Sequence, residues 1–226
     1  MNDQFQPALF EVPDTATGFL ELFPAVWTAA EELLSPEVER RRGAVEQLAK
    51  LGALRFSVLA VYLMATRLDE KDLPLRTRIV QLLGELLMPD QPGFTASLAV
   101  RQQLMTYLSH LRTRTIYFIL EAAVYDDRIE PNVARLLNAC PYAGRHLTDI
   151  LAGRKNPLSI RKQAVHYVGI VGYLDSIPAL EHISARLETR LQGQEAMPFL
   201  PSSQASENEE ELLPYIYSSL LLLRVP

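Results

Sequence analysis

The stretch NPLSIRKQAVHYVGIVGYLDSIPAL, residues 156–180, decides the fold class of this chain. Apolar residues recur in it at helical spacing, which predicts a first helix from about Leu158 to Tyr173. A second helix is predicted from Ser176 to about Leu191. A pair of helices of this size cannot bury its apolar face alone, so it has to stack against neighbouring pairs.

The same pattern recurs towards the N-terminus. Ser35-Pro36 and Leu73-Pro74 each begin a helix, because serine caps free amide groups and proline suits the first helical turn. Four arginines, Arg41, Arg76, Arg112 and Arg161, can be superimposed at intervals of about 35, 35 and 50 residues, with apolar or small residues at matching positions after them. Further helices are predicted at about 54–68, 95–111, 112–125, 130–139 and 142–152. Repeats of this length predict a solenoid of helix pairs.

The best of these units resembles the HEAT-like repeat of bacterial proteins. The resemblance rests on an arginine after an aliphatic residue, an alanine three residues on, a glycine pair near the helix end, an aspartate in the turn and Pro-Ala-Leu in the second helix. These residues are Arg161, Ala164, Gly169 and Gly172, Asp175 and Pro178-Ala179-Leu180. In that family the arginine and the aspartate tie adjacent repeats together, so the resemblance implies this role for Arg161 and Asp175. It covers roughly residues 36–191, and the earlier units match it mainly in apolar spacing.

We therefore predict an all-α fold, an α-solenoid of about four to five stacked antiparallel helix pairs, with an irregular helical bundle as the alternative. The predicted organisation is a flexible N-terminal arm at 1–16, a HEAT-like repeat domain at 17–191 and a flexible acidic linker at 192–210. The C-terminal helix at 211–226 is predicted to pack as a partial repeat or cap. It is apolar on most sides, so its outer side either is buried against the last pair or meets a second subunit in a homodimer.

Composition and motifs exclude several kinds of site. The net charge of −5 lacks the basic surplus typical of nucleic-acid binders. The dense basic run at 40–42 stands among glutamates, which predicts a solvated face with internal ion pairs. Cys140 is the single cysteine, so neither an intramolecular disulfide nor a cysteine-based zinc site is possible. No histidine pair has metal-binding spacing, and Asp126 is expected to cap a helix rather than to act as an acid or base.

The remaining patterns predict no catalytic residue, metal site or cofactor. The sequence opens without an apolar signal region and holds no apolar run long enough to span a bilayer, so we expect a soluble, cytoplasmic protein without membrane contact.

The functional prediction follows from the architecture. Partners of helix-pair solenoids commonly dock on the inner surface formed by the second helices. We predict a non-catalytic scaffold or adaptor that binds another protein or a peptide in this groove, with Arg55, Gln103, Tyr107, His110, His182 and Arg186 as its lining residues. Two alternatives come from resemblance to other HEAT-like proteins: an accessory subunit of an enzyme such as a bilin lyase, and a nucleic-acid binder of the alkylpurine DNA glycosylase type, which the charge disfavours.

Overall fold

The computed structural model describes residues 23–89, 95–195 and 209–225, and every regular element in these ranges is helical. The predicted all-α fold is confirmed for this part of the chain. The predicted arm at 1–16 and most of the linker at 192–210 lie outside the described residues.

Twelve α-helices occupy the described ranges. They are α1 (Pro24–Glu32), α2 (Val38–Lys50), α3 (Ala53–Phe56), α4 (Val58–Ala65), α5 (Leu73–Leu86), α6 (Leu98–Leu108), α7 (Thr113–Tyr125), α8 (Glu130–Asn138), α9 (Ala143–Ala152), α10 (Leu158–Val171), α11 (Ile177–Glu195) and α12 (Leu213–Arg224). Short 3-10 helices at Asp127–Ile129, Leu174–Ser176 and Glu209–Leu212 precede α8, α11 and α12.

Local sequence sets where these helices begin and end. Ser57, Asp72 and Ser97 each accept a hydrogen bond from a backbone N–H of the first turn that follows, which satisfies an amide that the helix itself leaves free. Gly52 and Gly172 terminate α2 and α10 with left-handed backbone, φ 65° and 87°, which an L side chain rarely adopts. Ser57 also divides the single helix predicted at 54–68 into α3 and α4, because its extended backbone interrupts the helix.

Five helices, which we call the first helices, contact one another in chain order: α2, α5, α7, α10 and α12. Their fourth, seventh, eighth and eleventh residues are buried in every case except Arg41, which is half-buried. The fourth residues are Arg41, Arg76, Ile116, Arg161 and Ile216; the seventh are Ala44, Ile79, Ile119, Ala164 and Ser219; the eighth are Val45, Val80, Leu120, Val165 and Leu220; and the eleventh are Leu48, Leu83, Ala123, Val168 and Leu223. The same helical face is therefore used at each step of the series.

This register corrects the sequence superposition in the third unit. Arg112 precedes α7 and is exposed, and the position equivalent to Arg41, Arg76 and Arg161 is occupied by Ile116. The superposition was wrong there by four residues, which is about one helical turn. It therefore aligned nearly the same face of the helix but assigned Arg112, instead of Ile116, to the buried fourth position.

The other helices differ in how many of the first helices they pack against. α6 packs against α3 and α4, α9 packs against α7, α10 and α11, and α8 packs against α5, α7 and α10. One side of α12 is buried against α10 and α11, whereas Leu221 and Leu222 on its other side are exposed. α12 therefore has one buried side and one exposed side, and its predicted role as a partial repeat or cap stays a prediction.

Two glycines allow close helix approach. A Cβ on Gly84 of α5 would lie 2.6 Å from Cα of Asn132 in α8, and a Cβ on Gly169 of α10 would lie 2.9 Å from Cα of Ser219 in α12. Both separations are shorter than van der Waals contact and involve backbone atoms. The packing of α5 on α8 and of α10 on α12 therefore requires glycine at these positions.

We predict opposite effects for two glycine-to-alanine substitutions. Gly84→Ala should lower the free energy of unfolding by about 1–3 kcal/mol, because α5 and α8 have to move apart. Gly43→Ala, on the exposed side of α2 with no atom within 4 Å of the new Cβ, should raise it by about 0.5–1 kcal/mol. Urea unfolding of both variants beside wild type measures these changes, and equal effects would contradict the packing described for Gly84.

Candidate functional site

Three buried or half-buried arginines, on α2, α5 and α10, each tie their own helix to the next structural unit. Arg41 forms a two-pronged ion pair with Glu70, 2.7 Å from each carboxylate oxygen, just before α5. Arg76 donates to Glu121 of α7 over 2.7 Å and to the backbone oxygen of Glu70 over 2.9 Å. Each guanidinium donates to an acceptor in the unit that follows its own helix. The cost of burying its charge is therefore compensated only when the neighbouring units are in place.

Arg161 is the most deeply buried of these ties. Its side chain is 1% exposed, its Nε donates to the backbone oxygen of Leu151 over 2.8 Å, and its Nη1 donates to Glu209 Oε1 over 2.7 Å. Arg161 thus links α10 to α9 and to the segment before α12, while the repeat-tying role that the resemblance implies for it stays a prediction. Asp175, the other predicted tie, is exposed in the 3-10 helix before α11, and no hydrogen bond or ion pair of its carboxylate is seen among the described residues.

Glu209 lies at the end of the range predicted as a flexible acidic linker, yet its carboxylate is buried. It accepts from Arg161 and, over 3.0 Å, from Arg190 of α11. Burial by itself would raise the pKa of Glu209, but the hydrogen bond and charge of Arg161, with the charges of Arg154 and Arg186, outweigh burial and lower it. At its other end the linker range overlaps α11, which extends to Glu195.

Removing the Glu209 carboxylate should destabilise the fold strongly. Glu209→Ala leaves Arg161 as an uncompensated buried charge, so we expect a loss of about 3–5 kcal/mol in the free energy of unfolding. Arg224→Ala, which removes an exposed ion pair with Glu181 in the same C-terminal region, is the matched control and should cost less than about 1 kcal/mol. Comparable losses for both variants in urea unfolding would contradict the importance assigned to Glu209.

Acid should destabilise the protein through the same tie. The pKa of Glu209 in the folded chain is lower than the ordinary glutamate value of 4.5, so its contribution to stability is fully present above pH 4.5 and is lost as pH falls through the folded pKa. Glu70 adds to this loss, because burial would raise its pKa but the hydrogen bond from Arg41 helps to lower it. Urea midpoints measured between about pH 6 and 3 should fall less steeply for Glu209→Gln than for wild type. Parallel profiles would show that Glu209 is not linked to acid stability.

The structure brings three of the six predicted groove residues onto one surface. Gln103, Tyr107 and His110 follow one side of α6 and its C-terminal turn, and Tyr107 meets Tyr62 of α4 edge to face with ring centroids 6.1 Å apart. We call Tyr62, Gln103, Tyr107 and His110 the tyrosine face. Tyr62 is 44% exposed and Tyr107 is half-buried. Burial and then the charge of Asp69 raise the pKa of Tyr107, which keeps its hydroxyl a neutral hydrogen-bonding group.

The other three predicted groove residues lie in different surroundings. Arg55 lines a cavity of about 530 Å³ between the end of α2, α3 and α5, with Leu54 and Leu82 among its apolar walls. His182 is exposed on α11, whose main helical neighbours are α12 and α9 rather than α6. Arg186 is half-buried there, and its charge helps to lower the pKa of Glu209. The six residues therefore do not form one continuous groove lining.

Sequence reasoning missed a cleft of about 850 Å³ that crosses the first helices. α7 supplies its longest wall, through Arg114, Tyr117, Phe118, Glu121, Val124 and Tyr125. The remaining walls are Asp69, Lys71, Leu73 and Arg76 near the start of α5, and Pro157, Ser159 and Ile160 at the start of α10. We call this the α7 cleft. The spacing i, i+4, i+7 and i+11 of Arg114, Phe118, Glu121 and Tyr125 places them on one helical face, a signal that was available in the sequence.

Other candidate groups have structural roles. Asp126 accepts from the backbone N–H and the guanidinium of Arg128, which confirms its predicted capping role. In the basic run, Arg40 pairs with Glu37 and Arg42 with Glu39, as predicted. Arg42 also pairs with Asp72, and Arg41 is half-buried against Glu70, so the prediction of a solvated face with internal pairs was wrong for Arg41. His166 contacts Glu130, and Cys140 is buried with a pKa raised by that burial. Within the described ranges, no three His, Cys, Asp or Glu side chains are grouped as a metal site would require.

Comparison of the chain with protein-family models, with curated proteins and with solved structures gave no match. The HEAT-like resemblance and the functions attached to it therefore stay predictions. None of the helices in the described part of the chain combines the length and the apolar character needed to cross a bilayer.

Proposed function

We propose that this protein is a HEAT-like helical solenoid that acts as a non-catalytic scaffold, binding another protein or a peptide on the tyrosine face. The observation that carries the proposal is the Tyr62–Tyr107 pair, two large rings that meet edge to face while Tyr62 keeps 44% of its surface accessible. Tyrosine is enriched among residues that dominate binding energy, because it offers a large apolar area and a hydrogen-bonding hydroxyl at little conformational cost.

The setting of this pair supports the proposal. Both rings project from α-helices that pack on each other, and the core residues Leu104 and Leu108 anchor α6 beneath them. Gln103 and His110 add hydrogen-bonding groups one turn before and about one turn after Tyr107. A partner would thus meet rings already held in one geometry, which reduces the entropy lost on binding.

The repeat assignment rests on the shared burial pattern of the five first helices and on the three arginine ties between consecutive units. These features support stacked repeats over an irregular bundle, because an irregular bundle has no reason to bury the same four positions in each of five helices.

The test is quantitative affinity purification from native cells with wild type, Tyr62→Ala and Tyr142→Ala. Tyr142, 67% exposed and just before α9, is the matched control because its removal deletes an equally large exposed ring elsewhere. We expect partners whose recovery falls about tenfold with Tyr62→Ala, as for the loss of about 1.4 kcal/mol, and stays unchanged with Tyr142→Ala. Equal recovery from all three baits would refute the tyrosine face as the binding surface.

A further inference from the structure

We infer that the α7 cleft is a second binding site, one that takes an acidic peptide segment carrying an aromatic or aliphatic anchor. The cleft is lined by the first helices and shares no residue with the tyrosine face. An experiment can therefore refute one of the two binding sites without refuting the other. Its volume of about 850 Å³ is large enough for several side chains of an extended peptide.

The charges in the cleft favour an anionic ligand. Arg76 and Glu121 neutralise each other across 2.7 Å, and Arg76 is 96% buried, so this pair forms a fixed wall. Arg114 and Lys71 are exposed, and in the described part of the chain no ion pair of either side chain is seen. Asp69 is the opposing exposed carboxylate. Two available cations against one anion leave the cleft positive in a chain whose net charge is −5.

Backbone geometry adds to this preference. α10 begins at the cleft, and no side chain caps its first turn, because its N-cap residue is Pro157. Free N–H groups and the helix dipole thus place partial positive charge beside the exposed Ser159. A carboxylate that spans Arg114 and this helix start would gain charge-assisted hydrogen bonds from both sides.

An apolar strip specifies the rest of the ligand. Val124 and Tyr125 are 43% and 55% exposed, and they continue along α7 from Phe118. Arg76 and Arg114 lie over the Phe118 ring, with guanidinium carbons 5.0 and 5.4 Å from its centroid. These cation–π contacts hold Arg114 along the cleft wall instead of leaving it free in solvent. An aromatic or aliphatic side chain next to the ligand's carboxylate would cover the exposed Val124 and Tyr125.

Selection of a phage-displayed library of random peptides on the folded full-length chain tests this inference, with the affinity of the enriched peptides measured by fluorescence anisotropy. We expect enriched sequences that join Asp or Glu to a large apolar residue and that bind more weakly as salt rises. Arg114→Glu should weaken their binding about tenfold or more. Arg112→Glu, an equal charge change at the exposed residue just before α7 and outside the cleft, should leave it unchanged.

Tyr125→Ala serves as the second variant and tests the apolar part of the site without altering charge. The inference is overturned if no peptide is enriched, if the enriched peptides lack acidic residues, or if Arg114→Glu and Arg112→Glu behave alike. Peptides that respond to Tyr62→Ala but not to Arg114→Glu would assign them to the tyrosine face and would also overturn the inference. Thermal unfolding of each variant separates loss of binding from loss of fold.

Discussion

The buried guanidinium of Arg161 is the constraint on which the C-terminal half of the structure depends. A charge taken out of water is tolerable only if acceptors surround it, and here they come from the backbone of Leu151 in α9 and the carboxylate of Glu209 before α12. The helix that carries Arg161 is therefore correctly placed only between these two neighbours. Arg41 and Arg76 impose the same requirement earlier in the chain, since both depend on Glu70.

Charge and close packing act together in this arrangement. Gly169 brings α10 against α12 near Ser219, whose hydroxyl donates to the backbone oxygen of Val165 over 2.8 Å. The ion pair of Arg161 with Glu209 fixes the segment that leads into α12, whereas the glycine contact fixes the depth at which α12 packs. Two apolar helices packed on each other could slide along their interface. The Arg161–Glu209 ion pair and the Ser219 hydrogen bond to Val165 act at different points along this interface and define one register.

The sequence predicted the positions of the helices better than it predicted which residues share a surface. The helix starts predicted at Leu73-Pro74 and Pro157 agree with α5 and α10, because proline preferences act within one turn. The start predicted at Ser35-Pro36 was wrong by two residues, since α2 begins at Val38 after Glu37 and no side chain caps it. The fourth-position arginines were recognised at Arg41, Arg76 and Arg161, but apolar periodicity alone could not separate Arg112 from Ile116, which lie one turn apart. The groove prediction assumed that second helices align in one row. That prediction could not foresee that α6 packs on α3 and α4 while α11 packs near α12, because contacts between distant helices are not encoded by local spacing.

The position of Glu209 has a consequence for the order in which this protein can form during synthesis. Its carboxylate leaves the ribosome 48 residues after Arg161. Until then the guanidinium can donate only to the backbone oxygen of Leu151, and full burial of α10 would leave the charge uncompensated. The nascent chain up to α11 is thus expected to keep this end of α10 hydrated, and its last packing step waits for the C-terminal segment. In this respect a helix pair that could assemble locally depends on a partner that lies far along the chain and is synthesised later.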